Sequence, residues 1–121
     1  MDKANSKTAF GFPSVIKDLP EADLPFNDVK AWILQGDKTQ LIFFEMQPTA
    51  LVPEHSHSYP QWGLVVNGKM RLTIDGKTQT IEKGDSYLIP ANAKHKAKFL
   101  TETQVIDLFS EKCRYKTKMA K

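Results

Sequence analysis

The chain has 121 residues, 40% hydrophobic and 26% charged, a balance expected of one soluble globular domain with a modest core. No run approaches the roughly 20 apolar residues of a membrane helix, and MDKANSKTAF lacks the apolar stretch of a secretory signal, so a cytoplasmic protein without membrane contact is expected. Much of the formal net charge of +3 lies in KCRYKTKMAK, read as a solvated tail; no basic stripe interleaves with stacking aromatics, which argues against nucleic-acid binding.

In chain order, residues 1–28 come first and carry FPSVIKDLPEADLPF, three prolines among scattered apolar residues with no sustained period. This predicts an arm that packs on the folded body or on a second subunit. From Val29 the chain breaks into short β-branched and aromatic runs: VKAWILQ, TQLIFFEM, LVPEHSH, QWGLVV, KMRLTI, TQTIE, SYLIP, HKAKFL and QVIDLF. Nine such runs without helical stripes predict an all-β fold over residues 29–111, followed by a basic tail over 112–121. The NG pair at Asn67 and the DG pair at Asp75 favour tight hairpins, so residues 64–81 are expected to form a meander. Within it Met70, Leu72 and Ile74 alternate with Arg71 and Thr73, giving one buried and one wetted face. The single cysteine, Cys113, has no partner for an internal disulfide and reads as a spectator.

All three histidines bear on one point. In a strand, residues two apart share a face, so His55 and His57 project together, and the same parity lets Gln61 join them. His95 opens the strand after LIPANAK and, in a closed sheet, meets the same interior. Three imidazoles and one amide oxygen suit a single divalent transition metal: Fe, Mn, Ni, Co, Zn or Cu.

These residues resemble the cupin superfamily, in particular its small single-domain members. The first motif of that family is matched by His55, His57, Gln61 and Gly68, the second by Gly84, Pro90 and His95, with Asn92 in place of the usual Gly. The resemblance covers residues 40–110 and implies a jelly-roll-like β-barrel with a metal in its mouth, frequently a homodimer. The apolar arm at residues 9–26 and the edge strands of a small barrel also favour a dimer. Where most such proteins carry Glu, Gln61 removes a negative charge, leaving a more positive centre that favours an anionic ligand.

The histidine set followed by Asp107 and Phe109 further resembles the small cupins that open unsaturated uronic acids released from pectin or alginate. That resemblance implies Asp107 as proton carrier and Phe109 beside the metal, with an arginine four residues on; here Cys113 holds that place and the arginine is Arg114. The spacer from His57 to Gln61 is also one residue shorter. On this reading Arg114 clamps a carboxylate while Phe109, Tyr59, Trp62 or Trp32 wall a small, anionic sugar. Two other classes stay open: a dioxygenase using the same three histidines, and a non-catalytic sugar- or metal-binding module. Asp107 separates them, since an inward carboxyl supports proton transfer and an outward one supports oxidation or binding.

Overall fold

The computed structural model describes residues 11–118. Each apolar run forms a strand: β1 Val29–Gln35, β2 Gln40–Met46, β3 Leu51–His55, β4 Gln61–Asn67, β5 Lys69–Ile74, β6 Lys77–Glu82, β7 Ser86–Ile89, β8 His95–Phe99 and β9 Thr103–Phe109. They make two antiparallel sheets, in the orders β1-β2-β9-β4-β7 and β3-β8-β5-β6, facing each other across one core. Instead of a ring of paired strands, the described residues form a jelly-roll sandwich. No described helix is long and apolar enough to cross a membrane.

Two turns behave differently despite similar sequence. Asp75 (φ 47°) and Gly76 (φ 82°) close the β5–β6 hairpin in the left-handed geometry expected of DG. The NG pair does not make a hairpin, because β4 and β5 lie in different sheets. The predicted meander over 64–81 is therefore corrected: Gly68 (φ 93°) carries the chain from one sheet to the other, where a Cβ would collide with Glu102 O and Thr103.

The described part of the arm, residues 11–28, folds onto its own chain. Phe12 packs edge-on against Phe43 at 5.6 Å and Trp32 at 6.5 Å on the outer face of the five-stranded sheet, next to the short helix α1, Ser14–Lys17. Ile33 N donates to Pro20 O and Ala22 N to Ala31 O, so the arm covers the free edge of β1. The terminal segment then pairs beyond the arm, with Asp23 N donating to Lys116 O and Lys118 N to Glu21 O. The expectation of a solvated tail is thus corrected as far as Lys118. Its lysines are exposed, but Tyr115 is anchored edge-on between Phe44 and Phe109.

Strand register stacks the interior in layers. At one end, His55 pairs with His95 across β3 and β8, while Gln61 pairs with Phe109 across β4 and β9. Two residues deeper lie Val52, Ala97 and Leu72 on one sheet and Tyr87, Gly63 and Asp107 on the other. Deeper again come Met70, Phe99, Val65, Val105 and Phe44, all of them apolar.

Candidate metal centre and pocket

The three imidazoles converge at the mouth of the sandwich. Ring centroids are 4.1 Å apart for His55 and His95, 4.8 Å for His57 and His95, and 5.7 Å for His55 and His57. The expectation that His55 and His57 share a strand is corrected: β3 ends at His55, and the pairing register slips between Val52 and His55. His57 is placed instead by stacking on Tyr59 at 4.5 Å, with rings only 11° from parallel.

Each Nδ1 lies against a backbone carbonyl two residues away: Pro53 O at 2.9 Å for His55, Tyr59 O at 2.7 Å for His57 and Ala93 O at 2.9 Å for His95. A carbonyl can only accept, so each Nδ1 bears the proton and each neutral ring turns an Nε2 lone pair toward its neighbours. His95 Nε2 is buried without a hydrogen-bond partner among the described residues. His57 Nε2 faces Gln61 Oε1 at 3.2 Å, two acceptors pointed at each other. A cation between them resolves both features, and Nδ1–H donation to fixed acceptors is the usual way a ligating histidine is oriented. Burial lowers the pKa of His57 and of His95, which favours the unprotonated form a metal requires. The residues therefore fit a divalent transition metal.

Behind Gln61 runs a chain of hydrogen bonds. Its Nε2 donates to Asp107 Oδ2 at 3.0 Å, and Tyr87 OH donates to Asp107 Oδ1 at 2.6 Å. Asp107 faces inward and is buried. Desolvation pushes its carboxyl up to about 7 despite the two donors, which pull the other way. Tyr87 was not among the expected site residues. Two sequence signals place it: SYLIP parity turns Tyr87 inward with Ile89, and Gly63 stands opposite. A Cβ on Gly63 would overlap the Tyr87 ring and Asp107 Oδ1, so only glycine leaves room for their contact.

Arg114 reaches the mouth. Its guanidinium sits 5.5 Å from the Phe109 ring centre and 5.0 Å from that of Tyr115, with Nη2 3.5 Å from His55 Nε2. Its Nε is buried and unpartnered among the described residues. The fully buried Gln40, also unforeseen, fixes this segment by mimicking a backbone. Its Nε2 donates to Tyr115 O at 3.0 Å and its Oε1 accepts from Tyr115 N at 2.9 Å.

A cavity of about 260 Å³ descends from this mouth, lined by His55, His95, Gln61, Asp107, Phe109 and Arg114 at the polar end. Among the aromatics expected to wall a ligand, Phe109 does so. Trp62 does not: it follows the inward Gln61 and so points out, 44% exposed, on the outer face of the sheet. Trp32 lies on that face under the arm. Tyr59 supports His57 rather than lining the cavity.

Comparison with known proteins agrees with the fold. The chain is 32% identical over 74 residues to H2HPP isomerase of Bacillus subtilis, a match covering 60% of this chain and 31% of that protein. It thus spans about a third of the length of that relative. Among solved structures, KdgF from Halomonas sp. superposes with a TM-score of 0.69 at 23% identity, over 77% of this chain and 86% of that one. An RmlC-like cupin from Shewanella frigidimarina gives 0.73 at 24%, over 87% and 91%. Identities this low show the fold alone. The cupin domain model matches residues 42–109, more than half of the chain and all four candidate metal ligands, and the chain therefore belongs to the cupin family.

Proposed function

We propose that this cupin is a metal-dependent isomerase that moves a proton on a small carboxylate-bearing substrate, with no redox change. The observation that carries the reading is Asp107, a buried carboxyl in the cavity wall one hydrogen bond from a ligand of the candidate centre. An oxygenase or a passive binding module has little use for a buried carboxyl there, and burying one has a cost. The relation to an isomerase points the same way. Its finer form, ring opening of an unsaturated uronate, rests on the Asp107 and Phe109 pattern.

His55, His57, His95 and Gln61 would hold a divalent metal, which when bound would supply Lewis acidity toward a carboxylate-bearing substrate. Arg114 meets the carboxylate with a charge-assisted hydrogen bond, using the donor that no protein group occupies. Asp107 takes a proton from one substrate carbon and returns it at another; each of its oxygens keeps a lone pair beyond those used by Gln61 and Tyr87. Tyr87 holds the carboxyl in place and stabilises its ionised form. Phe109 packs against the substrate and excludes water. The molecule works as a homodimer, joined through the outer face of the five-stranded sheet.

The test is incubation of metal-loaded protein with unsaturated uronates and small keto acids, reading products by NMR and oxygen with an electrode. The expected result is an isomerised or ring-opened product with no oxygen consumed. Asp107→Asn should keep its metal through the three imidazoles and lose turnover by about 10²-fold or more. Oxygen consumption with any of these compounds, or a fully active Asp107→Asn, contradicts the proposal and favours the dioxygenase.

A further inference from the structure

The two ends of the cavity differ in kind. At the mouth stand the imidazoles, Gln61 and Arg114; below them the lining is Val52, Leu72, Phe44, Met70, Phe99 and Val105. Between these layers Gln61 Nε2 and Tyr87 OH both donate to Asp107, whose oxygens keep only acceptor capacity. A ligand body entering the depth finds almost no free donor or acceptor. A uronate brings a hydroxyl on most ring carbons, and each one buried unpaired weakens binding by roughly tenfold. A hydrocarbon body pays no such penalty and fills an apolar void that otherwise costs stability. Size agrees as well: an apolar cavity of roughly 150 Å³ takes a benzene, and this one is about 260 Å³.

From this we infer that the substrate class is a carboxylic acid with an apolar body, of the size of a six-carbon ring on a short chain. Its carboxylate sits at the imidazole and Arg114 end and its hydrocarbon part lies among Leu72, Phe99 and Val105. The inference rests on the carboxylate reading above and sets a hydrocarbon acid in place of its finer uronate form.

The experiment uses the full chain loaded with Co(II), whose visible spectrum reports a ligand arriving at the metal, with calorimetry for affinity. The probes are acetate, galacturonate and 3-cyclohexylpropanoate. The expected result is that all three perturb the spectrum, that the cyclohexyl acid binds at least 100-fold tighter than acetate, and that galacturonate gains nothing over acetate. Leu72→Phe, which fills the apolar depth, should cost the cyclohexyl acid tenfold or more and leave acetate unchanged. Galacturonate binding as tightly as the cyclohexyl acid overturns the inference while leaving the carboxylate reading intact. Equal loss of both acids in a folded Leu72→Phe protein overturns it too. If no acid, acetate included, alters the spectrum, the carboxylate reading itself fails.

Discussion

Gln61 connects two roles through one amide group. Its Nε2 is held by Asp107 Oδ2, so its Oε1 has to face the imidazoles. When Asp107 is ionised, the negative charge that an acidic ligand would bring lies one hydrogen bond outward, and the centre is then less positive than Gln61 alone suggests. Gln61→Glu sets two carboxyls about 3.0 Å apart, at the present hydrogen-bond distance, and forces one to hold a proton. Asp107→Asn allows the Gln61 amide to flip and withdraw its oxygen. Each single variant should weaken metal affinity, on the order of tenfold. The double variant Gln61→Glu/Asp107→Asn restores a donor and acceptor of opposite direction and should bind metal at least as well as wild type. Competition with a chelating indicator measures all four proteins, and additive losses would show that the pair is not coupled.

The same carboxyl predicts a pH dependence in metal-free protein. Its folded pKa of about 7 lies above the ordinary 3.8, so the folded state holds the proton longer. Stability from this group is greatest below about pH 4, falls as pH rises toward 7 and is flat above, by at most about 4 kcal/mol. His57 and His95, lowered by burial, slope the opposite way. The difference in urea stability between wild type and Asp107→Asn isolates the carboxyl: the variant should gain relative stability between pH 4 and 7, and no gain would place the carboxyl in a better solvated setting.

Among the elements, the tail owes its place to β2. Gln40 is fully buried, and it also donates to Gln35 Oε1 while Gln35 Nε2 donates to Lys112 O. Gln40→Ala should lower stability by about 1–3 kcal/mol and free the segment that carries Arg114. Limited trypsin digestion at Arg114 and Lys116 is the readout; unchanged resistance would mean the segment is held elsewhere. The strands themselves were legible, because alternating side chains on a two-faced sheet leave a period of two in the sequence. So were His55, Gln61 and His95, each inward by strand parity or register. His57 was legible as a member of the histidine cluster but not in its placement, since a loop residue has no parity. Trp62 was misplaced although its neighbour Gln61 pointed inward and parity sent it out. The NG pair misled because Gly68 serves a close approach to Glu102 and Thr103, a long-range contact that a dipeptide does not announce.

For the whole molecule, an uncovered face carries the expectation of a dimer. Leu88, Trp62, Leu108, Leu41 and Leu34 form one register row across all five strands. The arm covers Trp32 and Phe43 but leaves Leu34, Trp62 and Leu88 exposed at 48%, 44% and 49%. An apolar row of this kind suits a self-complementary contact about a two-fold axis. Light scattering at high micromolar concentration should give a dimer, and Trp62→Glu/Leu88→Glu a monomer that keeps its metal; a wild-type monomer would contradict the interface.

The proposed reaction depends on the candidate metal centre, whose most direct measurement is elemental analysis of protein purified without a chelating column and then dialysed against each divalent ion. One ion per chain is expected in wild type, with most of it lost in His57→Ala and in His95→Ala, and affinity declining in acid as His57 and His95 protonate, below the ordinary imidazole range because burial lowers both. Full metal content in both variants would contradict the centre and the reaction built on it.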